Sequence, residues 1–192
     1  MIMILNLCSV SLIDSSNVGL FQSIHLAQNP ALLISFQLIQ AERDLLIARD
    51  FMNPAVPQNQ STVELFSNEV LENPFAINFY KLQAATFIYE MGDTKTGSEK
   101  IKMLYDQDPN NLDILRAQLA VETFNGDTKN QIMTRNKIAK QDPWNVENYY
   151  ELLVLNNELK RFDEVDKYRN IIIKIAPNSD VAKKVIELKI KS

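Results

Sequence analysis

GDTK at residues 92–95 and GDTK at residues 126–129 are two copies of one string, and they begin 34 positions apart (126 − 92). Prolines recur at the same interval at Pro109, Pro143 and Pro177 (143 − 109 and 177 − 143). An internal period of this length is typical of solenoids in which each repeat is one pair of antiparallel helices. The sequence therefore predicts an all-α fold, an antiparallel helix-pair solenoid.

The composition fits a folded helical protein and argues against several functional classes. Of 192 residues, 46% are hydrophobic and only 4 are glycine. So few glycines argue against an all-β fold, whose tight turns commonly require this residue. The net charge of −4 does not suggest the concentrated basic surface that nucleic-acid binding requires. The single cysteine, Cys8, cannot form an internal disulfide. We therefore predict a cytoplasmic protein without a nucleic-acid partner.

The first 13 residues, MIMILNLCSVSLI, form an apolar run that lacks the basic start of a secretory signal. The run is also shorter than the roughly 20 residues that cross a bilayer. Two interpretations stay open for residues 1–29. The run is either a buried first helix of the array, which the pattern favours, or the end of a membrane helix that begins upstream. In the second case Asp14 marks the exit into water, and the N-terminus tethers the protein to the membrane.

The next segment is predicted to form an extended repeat over residues 30–73. It contains a long helix over 31–52 and an irregular, proline-containing loop over 53–60. A capping box, Ser61-x-x-Glu64, then starts the second helix. The apolar residues of the long helix that recur at helical spacing are Leu32, Phe36, Ile39 and Leu46.

Residues 74–176 are predicted to hold the regular repeats, and residues 177–192 a helix that caps the array. Glycine is expected to end the first helix of a repeat in a left-handed conformation, as at Gly126. Asp127 and Thr128 are then placed to cap the second helix. Neither helix of a repeat is apolar all round, so each needs a neighbour to cover its apolar stripe.

The last repeat carries the residues of a known pattern. The matching residues are Tyr149, Leu152, Phe162, Tyr168 and Pro177. On these residues the chain resembles the tetratricopeptide repeat family over residues 74–177. It departs from the family at Leu153, Val165 and Ile172, where Gly or Ala is usual, and Gln131 stands in place of an alanine in the preceding repeat. Larger side chains at these positions predict wider or divergent helix packing.

The resemblance implies a right-handed superhelix whose first helices line a concave groove for a peptide or partner protein. The outward first-helix positions are Asp113, Arg116, Ala120, Thr123, Glu147, Tyr150, Glu151, Val154 and Asn157. Arg116 is the single cation among them, and the lysine and asparagine clamp with which some members hold a C-terminal carboxylate is not found. The groove is predicted to be mixed and mildly acidic, with an ordinary solvated face as the alternative. Trp144 is expected to wedge between units.

A second, weaker resemblance is to the soluble repeat tails of bacterial membrane glycan ligases of the O-antigen ligase type. The order of apolar run, short helix and repeats with DPWN at residues 142–145 is similar to such a tail, whose catalytic part would lie elsewhere. The chain has one histidine, His25, and no phosphate-binding or metalloprotease motif. We predict a non-catalytic scaffold with no cofactor, no metal and no catalytic residue. The oligomeric state stays open.

Overall fold

A computed structural model describes residues 30–52 and 60–187, and every regular element in these two ranges is an α-helix. The helices are α1 Pro30–Phe51, α2 Gln60–Glu72, α3 Asn78–Glu90, α4 Thr94–Gln107, α5 Leu112–Phe124, α6 Thr128–Gln141, α7 Val146–Glu158, α8 Phe162–Ile175 and α9 Asp180–Glu187. The predicted all-α fold class is confirmed. The predictions for the N-terminal apolar run, Cys8 and His25 lie outside the described residues, as does most of the predicted loop.

The helices pack in series, each against the next, from α1 to α9. In addition, α1 touches α3, α3 touches α5, and α9 touches α7 as well as α8. This pattern of contacts between neighbours confirms the predicted helix-pair solenoid. Between α5 and α7, in contrast, no two Cα atoms come within 8 Å. The wider packing predicted from the large side chains at Leu153, Val165 and Ile172 stays a prediction, because these residues lie on α7 and α8.

The turns inside the repeats share one backbone geometry. Gly92 (φ 106°), Gly126 (φ 66°) and Lys160 (φ 57°) follow the ends of α3, α5 and α7, each 34 residues after the last (126 − 92 and 160 − 126). Both glycines thus adopt the predicted left-handed conformation, which costs a residue without a Cβ atom little. Lys160 adopts it with a side chain, which is strained.

The residue after each left-handed position is the N-cap of the second helix. The Asp127 carboxylate accepts a hydrogen bond from the Asn130 amide at 3.1 Å, which confirms the predicted cap. Asp93 accepts the equivalent bond from Thr96, and hydrogen bonds from the side chain and backbone of Thr96 lower the pKa of the Asp93 carboxyl. Arg161 stands at the third position, and its side chain makes no capping bond.

Replacing Lys160 with glycine is expected to raise the free energy of unfolding by about 1 kcal/mol, because the strain of a left-handed Cβ atom disappears. Urea denaturation of the variant and the wild type measures the difference. Gly126→Ala is the matched control. A Cβ atom at Gly126 would meet nothing within 4 Å, so the φ angle alone should lower stability by about 1 kcal/mol. A Lys160→Gly variant less stable than the wild type would contradict this account.

The joints between repeats also repeat. In DPNN (108–111) and DPWN (142–145), the asparagine side chain donates to the aspartate carboxylate, at 3.3 Å from Asn111 to Asp108 and 3.1 Å from Asn145 to Asp142. The oxygen of the same asparagine side chain then accepts a backbone N–H in the first turn of the next helix. The two joints therefore cap α5 and α7 in the same way.

The apolar stripes of the regular repeats are buried as the sequence predicts. The buried residues of these stripes include Leu115, Val121, Ile132, Ile138, Tyr149, Leu152, Leu153, Leu155, Val165, Tyr168, Ile172 and Val185. Phe162 is an exception, since it lies at the surface where α8 begins. The last cluster is closed by Ala182 and Val185 of α9, which pack on α7 and α8.

In the extended repeat the long helix is found, but its core face and the start of the next helix differ from the sequence pattern. The helix α1 is present, but Ile39 is 63% exposed, and Leu32 and Leu46 are also exposed. The residues of α1 that face the core are instead Ala41, Leu45 and Ala48. Ser61 does not cap α2 either, because α2 begins at Gln60 and already includes Ser61 in its first turn.

Candidate functional site

The predicted groove residues lie on α5 and α7, and none of them is fully buried. On α5, Asp113, Arg116, Ala120 and Thr123 are exposed. On α7, Glu147 and Asn157 are exposed, whereas Tyr150, Glu151 and Val154 are half-buried. Their spacing of three to four residues places the members from each helix on one side of that helix.

Arg116 is engaged in weak contacts at the surface. Its guanidinium lies 3.5 Å from the Asp113 carboxylate and 3.8 Å from the Asp142 carboxylate in the joint before α7. Exposed pairs of this length stabilise a protein by less than about 1 kcal/mol. The guanidinium is therefore held near the space between α5 and α7, and a stronger anion could draw it away at little cost.

A second cation, Arg135 on α6, reaches the α7 surface that sequence reasoning assigned to the groove. Its guanidinium lies 3.6 Å from the Glu151 carboxylate and 3.5 Å from the Asn148 side-chain oxygen, while Asn148 donates to the Arg135 carbonyl at 2.9 Å. Burial lowers the pKa of the Arg135 guanidinium, and the nearby Glu151 carboxylate opposes this change.

Sequence reasoning missed Arg135 because it considered only first helices. The 34-residue period offers a signal: the equivalent residue of the next repeat is Arg169, which donates to the carbonyl of Val185. Val185 lies 16 residues after Arg169, as Glu151 lies 16 residues after Arg135 (185 − 169 and 151 − 135). Both arginines therefore connect the second helix of one unit to the following first helix.

Trp144 does not wedge between units, so that prediction is wrong. Its side chain is 73% exposed in the joint between α6 and α7. It lies two residues after Asp142, the partner of Arg116. A large exposed indole beside a charged pair is typical of a contact residue, because tryptophan, tyrosine and arginine dominate binding energies at protein interfaces.

The described residues contain neither a metal-binding cluster nor a membrane-spanning helix. Over residues 30–52 and 60–187, no cluster of three or more histidine, cysteine, aspartate or glutamate residues is arranged to hold a metal ion. Within the same ranges, no helix has the length and apolar character needed to cross a bilayer. The absence of a cofactor and of catalysis stays a prediction.

Solved structures with a similar architecture are helical repeat proteins. A tetratricopeptide repeat protein from Parabacteroides merdae superposes with a TM-score of 0.62 and 15% identity, over 77% of this chain and 57% of that one. The chain has a tetratricopeptide-repeat-like fold. MamA AMB-1 matches with a TM-score of 0.58 and 17% identity over 78% of each chain, and MamA MSR-1 with 0.51 and 17% over 79% and 85%.

Sequence comparison adds no closer relative, since no family model and no curated protein matches the chain. At such low identities the likeness shows the tetratricopeptide-repeat-like fold and nothing finer. The predicted resemblance to this repeat family is thereby confirmed for the architecture. The similarity to the tails of O-antigen ligases stays a prediction, as do the groove residues.

Proposed function

We propose that this tetratricopeptide-repeat-like array is a non-catalytic interaction scaffold that binds a peptide segment of a partner protein across α5 and α7. The observation that carries the proposal is the position of Arg116, Trp144 and Tyr150 at or next to the joint 142–145, which leads from α6 into α7. Arg116 contacts Asp142 of that joint, Trp144 follows in the joint itself, and Tyr150 lies in the second turn of α7. Arginine, tyrosine and tryptophan are the residues most enriched among binding hot spots.

The separation of α5 and α7 supports the same surface. Because no two Cα atoms of these first helices come within 8 Å, side chains rather than closely packed backbones border the space between them. Tyr150 packs partly against the core of the last unit, which fixes the ring and limits the entropy lost on binding.

The charges of this surface define the class of peptide. The carboxylates are Asp113, Asp142, Glu147 and Glu151, and the guanidiniums are Arg116 and Arg135. With four negative and two positive groups, the surface should disfavour acidic peptides and accept neutral or basic ones. Aromatic or aliphatic anchors in the peptide would pack on Trp144 and Tyr150.

The double variant Arg116→Ala, Tyr150→Ala is expected to bind a peptide selected from a displayed random library at least tenfold more weakly than the wild type, because two hot spots of over 1 kcal/mol each are lost. Trp144→Ala is expected to reduce affinity by a similar factor. Fluorescence anisotropy with the labelled peptide measures each dissociation constant, and circular dichroism reports whether the array stays folded.

The matched control is Lys95→Ala, Met103→Ala on α4, which likewise removes one exposed cation and one large exposed side chain, but from a second helix. It should leave affinity unchanged. The proposal fails if the control weakens binding as much as the groove variant. It also fails if the folded groove variant binds as tightly as the wild type.

A further inference from the structure

The repeat formed by α5 and α6 has a more polar interior than the repeats on either side. We call Gln118, Glu122, Gln131 and Thr134 the Glu122 cluster. The residues that lie 34 positions before Gln118, Glu122 and Gln131 are Ala84, Ile88 and Gly97, and those 34 positions after are Leu152, Asn156 and Val165. A buried polar group lowers stability unless it is hydrogen-bonded, so the three members that lie buried, Glu122, Gln131 and Thr134, require an explanation.

The hydrogen bonds of the cluster satisfy only one of the two oxygens of the Glu122 carboxylate. Glu122 is 7% exposed. Its Oε1 accepts bonds from the Gln118 amide at 3.0 Å and from the Thr134 hydroxyl at 3.1 Å. Among the described residues, however, Glu122 Oε2 and Gln118 Oε1 receive no donor, although both atoms are buried. Two acceptors are therefore left without a protein partner.

Both side chains line a cleft of about 230 Å³ bordered by α4, α5 and the start of α6. At about 30 Å³ for each water molecule, this space corresponds to roughly seven waters, enough for the head group of a side chain. Glu99 and Asp127 also line the cleft. The ammonium group of Lys102, the one basic lining residue, is bound to the Asp106 carboxylate at 2.9 Å.

We propose that this cleft binds a basic side chain, an arginine guanidinium or a lysine ammonium, of a partner protein. Such a group carries only donors, which is what the two unpaired oxygens require. Its charge also complements three carboxylates set against one lysine that is already paired. An anion would instead meet the three carboxylates of the cleft, which disfavour it.

The cleft is separate from the proposed peptide groove. Glu122 follows Ala120 by two residues, which at 3.6 residues per turn places the two side chains about 200° apart around α5. On α5, the groove residues and the two members of the Glu122 cluster, Gln118 and Glu122, therefore lie on opposite sides of the helix. The neighbouring repeats do not reproduce the cleft chemistry, since Arg161 stands in place of Asp127 in one and Ile88 in place of Glu122 in the other.

The test is a titration followed by ¹H–¹⁵N NMR with N-acetyl-arginine amide, N-acetyl-lysine amide and, as the neutral probe, N-acetyl-glutamine amide. The basic probes should produce saturable shifts in the amides at the end of α5 and the start of α6, and the glutamine probe should not. Glu122→Gln keeps an oxygen for Gln118 and Thr134 but removes the charge, and should weaken binding at least tenfold. The groove variant Arg116→Ala, Tyr150→Ala should bind the probes as the wild type does.

A second variant tests the proposal independently, in case Glu122→Gln does not fold. Glu99→Gln with Asp127→Asn removes two carboxylates at the rim, while asparagine at 127 can still cap α6. It should weaken binding threefold to tenfold. The proposal is overturned if the basic and neutral probes give the same unsaturated shifts, the result expected when water alone fills the cleft. It is equally overturned if the folded variants keep wild-type affinity.

Discussion

Replacing Gly97 with alanine should lower the free energy of unfolding by about 2 kcal/mol, although alanine is the better helix former. Gly97 lies in the first turn of α4 and packs directly on α3. A Cβ atom built there would lie 2.5 Å from Tyr89 Cβ and 2.6 Å from Tyr89 Cα and N. Two of these atoms belong to the backbone, so relief requires the two helices to move apart.

The size of the effect follows from two opposed contributions. Overpacking of a close helix contact costs about 3 kcal/mol, and the change from glycine to alanine inside a helix returns about 1 kcal/mol. For a chain of this size the net loss corresponds to a fall of about 4 to 8 °C in the melting temperature. Differential scanning calorimetry or thermal circular dichroism measures it.

Ser98→Ala provides the matched control on the same helix. It makes a smaller gain in helix propensity at a position that is not fully buried, and should change stability by no more than about 0.5 kcal/mol. A Gly97→Ala variant that melts at or above the wild-type temperature would show that α3 and α4 do not approach as closely as described.

The second large effect is expected for Ile172→Ala in α8, which should lose about 4 kcal/mol. Ile172 is fully buried in the cluster that also contains Leu152 of α7 and Val185 of α9. Its removal takes away packing on both neighbours and leaves a cavity that three helices would have to close. Ile186→Ala removes the same atoms from an exposed position on α9 and should change stability by less than about 0.5 kcal/mol.

The loss of stability in Ile172→Ala should also be confined to the last unit, α7 to α9. Because each helix contacts only its near neighbours, a weakened last unit can open while the first units stay folded. Hydrogen exchange of Ile172→Ala should therefore show reduced protection in α7, α8 and α9, with α3 and α4 close to wild type. An equal loss of protection in all of these helices would contradict this view and indicate a single cooperative unit.

The period and its turns could be predicted from the sequence because they depend on local backbone chemistry. Glycine at 92 and 126 marks left-handed residues, and the aspartate that follows at 127 is a strong N-cap. The same period at Lys160 shows that packing can impose this turn where the preferred residue is missing. Here the sequence predicts the position of the turn but not its strain.

The errors arise where an outcome depends on which neighbour is present. Periodicity shows that Leu32, Ile39 and Leu46 share a helical pattern, but not that α2 and α3 contact α1 through Ala41 and Leu45 instead. The prediction that Trp144 wedges between units rests only on its position at a joint. A joint can expose a side chain as readily as bury it. Such contacts are tertiary and override local pattern.

The candidate sites were predicted only in part. The positions on α5 and α7 are those that the resemblance to the tetratricopeptide repeat family implies and stay a prediction, whereas Arg135 reaches the same surface from a second helix. The close contact at Gly97 and the two unpaired oxygens near Glu122 depend on distances between helices that no single sequence pattern encodes. Alignment of the repeats would still have shown Glu122 as a charged residue at a position held by Ile88 in the preceding unit.

The identical capping of α5 and α7 makes residues 112–145 an exchangeable cassette. Asn111 before α5 and Asn145 before α7 each bond an aspartate three residues back and cap the helix that follows. Excision of 112–145 would place Asn111 directly before Val146, the position that Asn145 now holds. The array can thus change its length in steps of one repeat without inventing a new junction, and a binding surface can be added or deleted as a block.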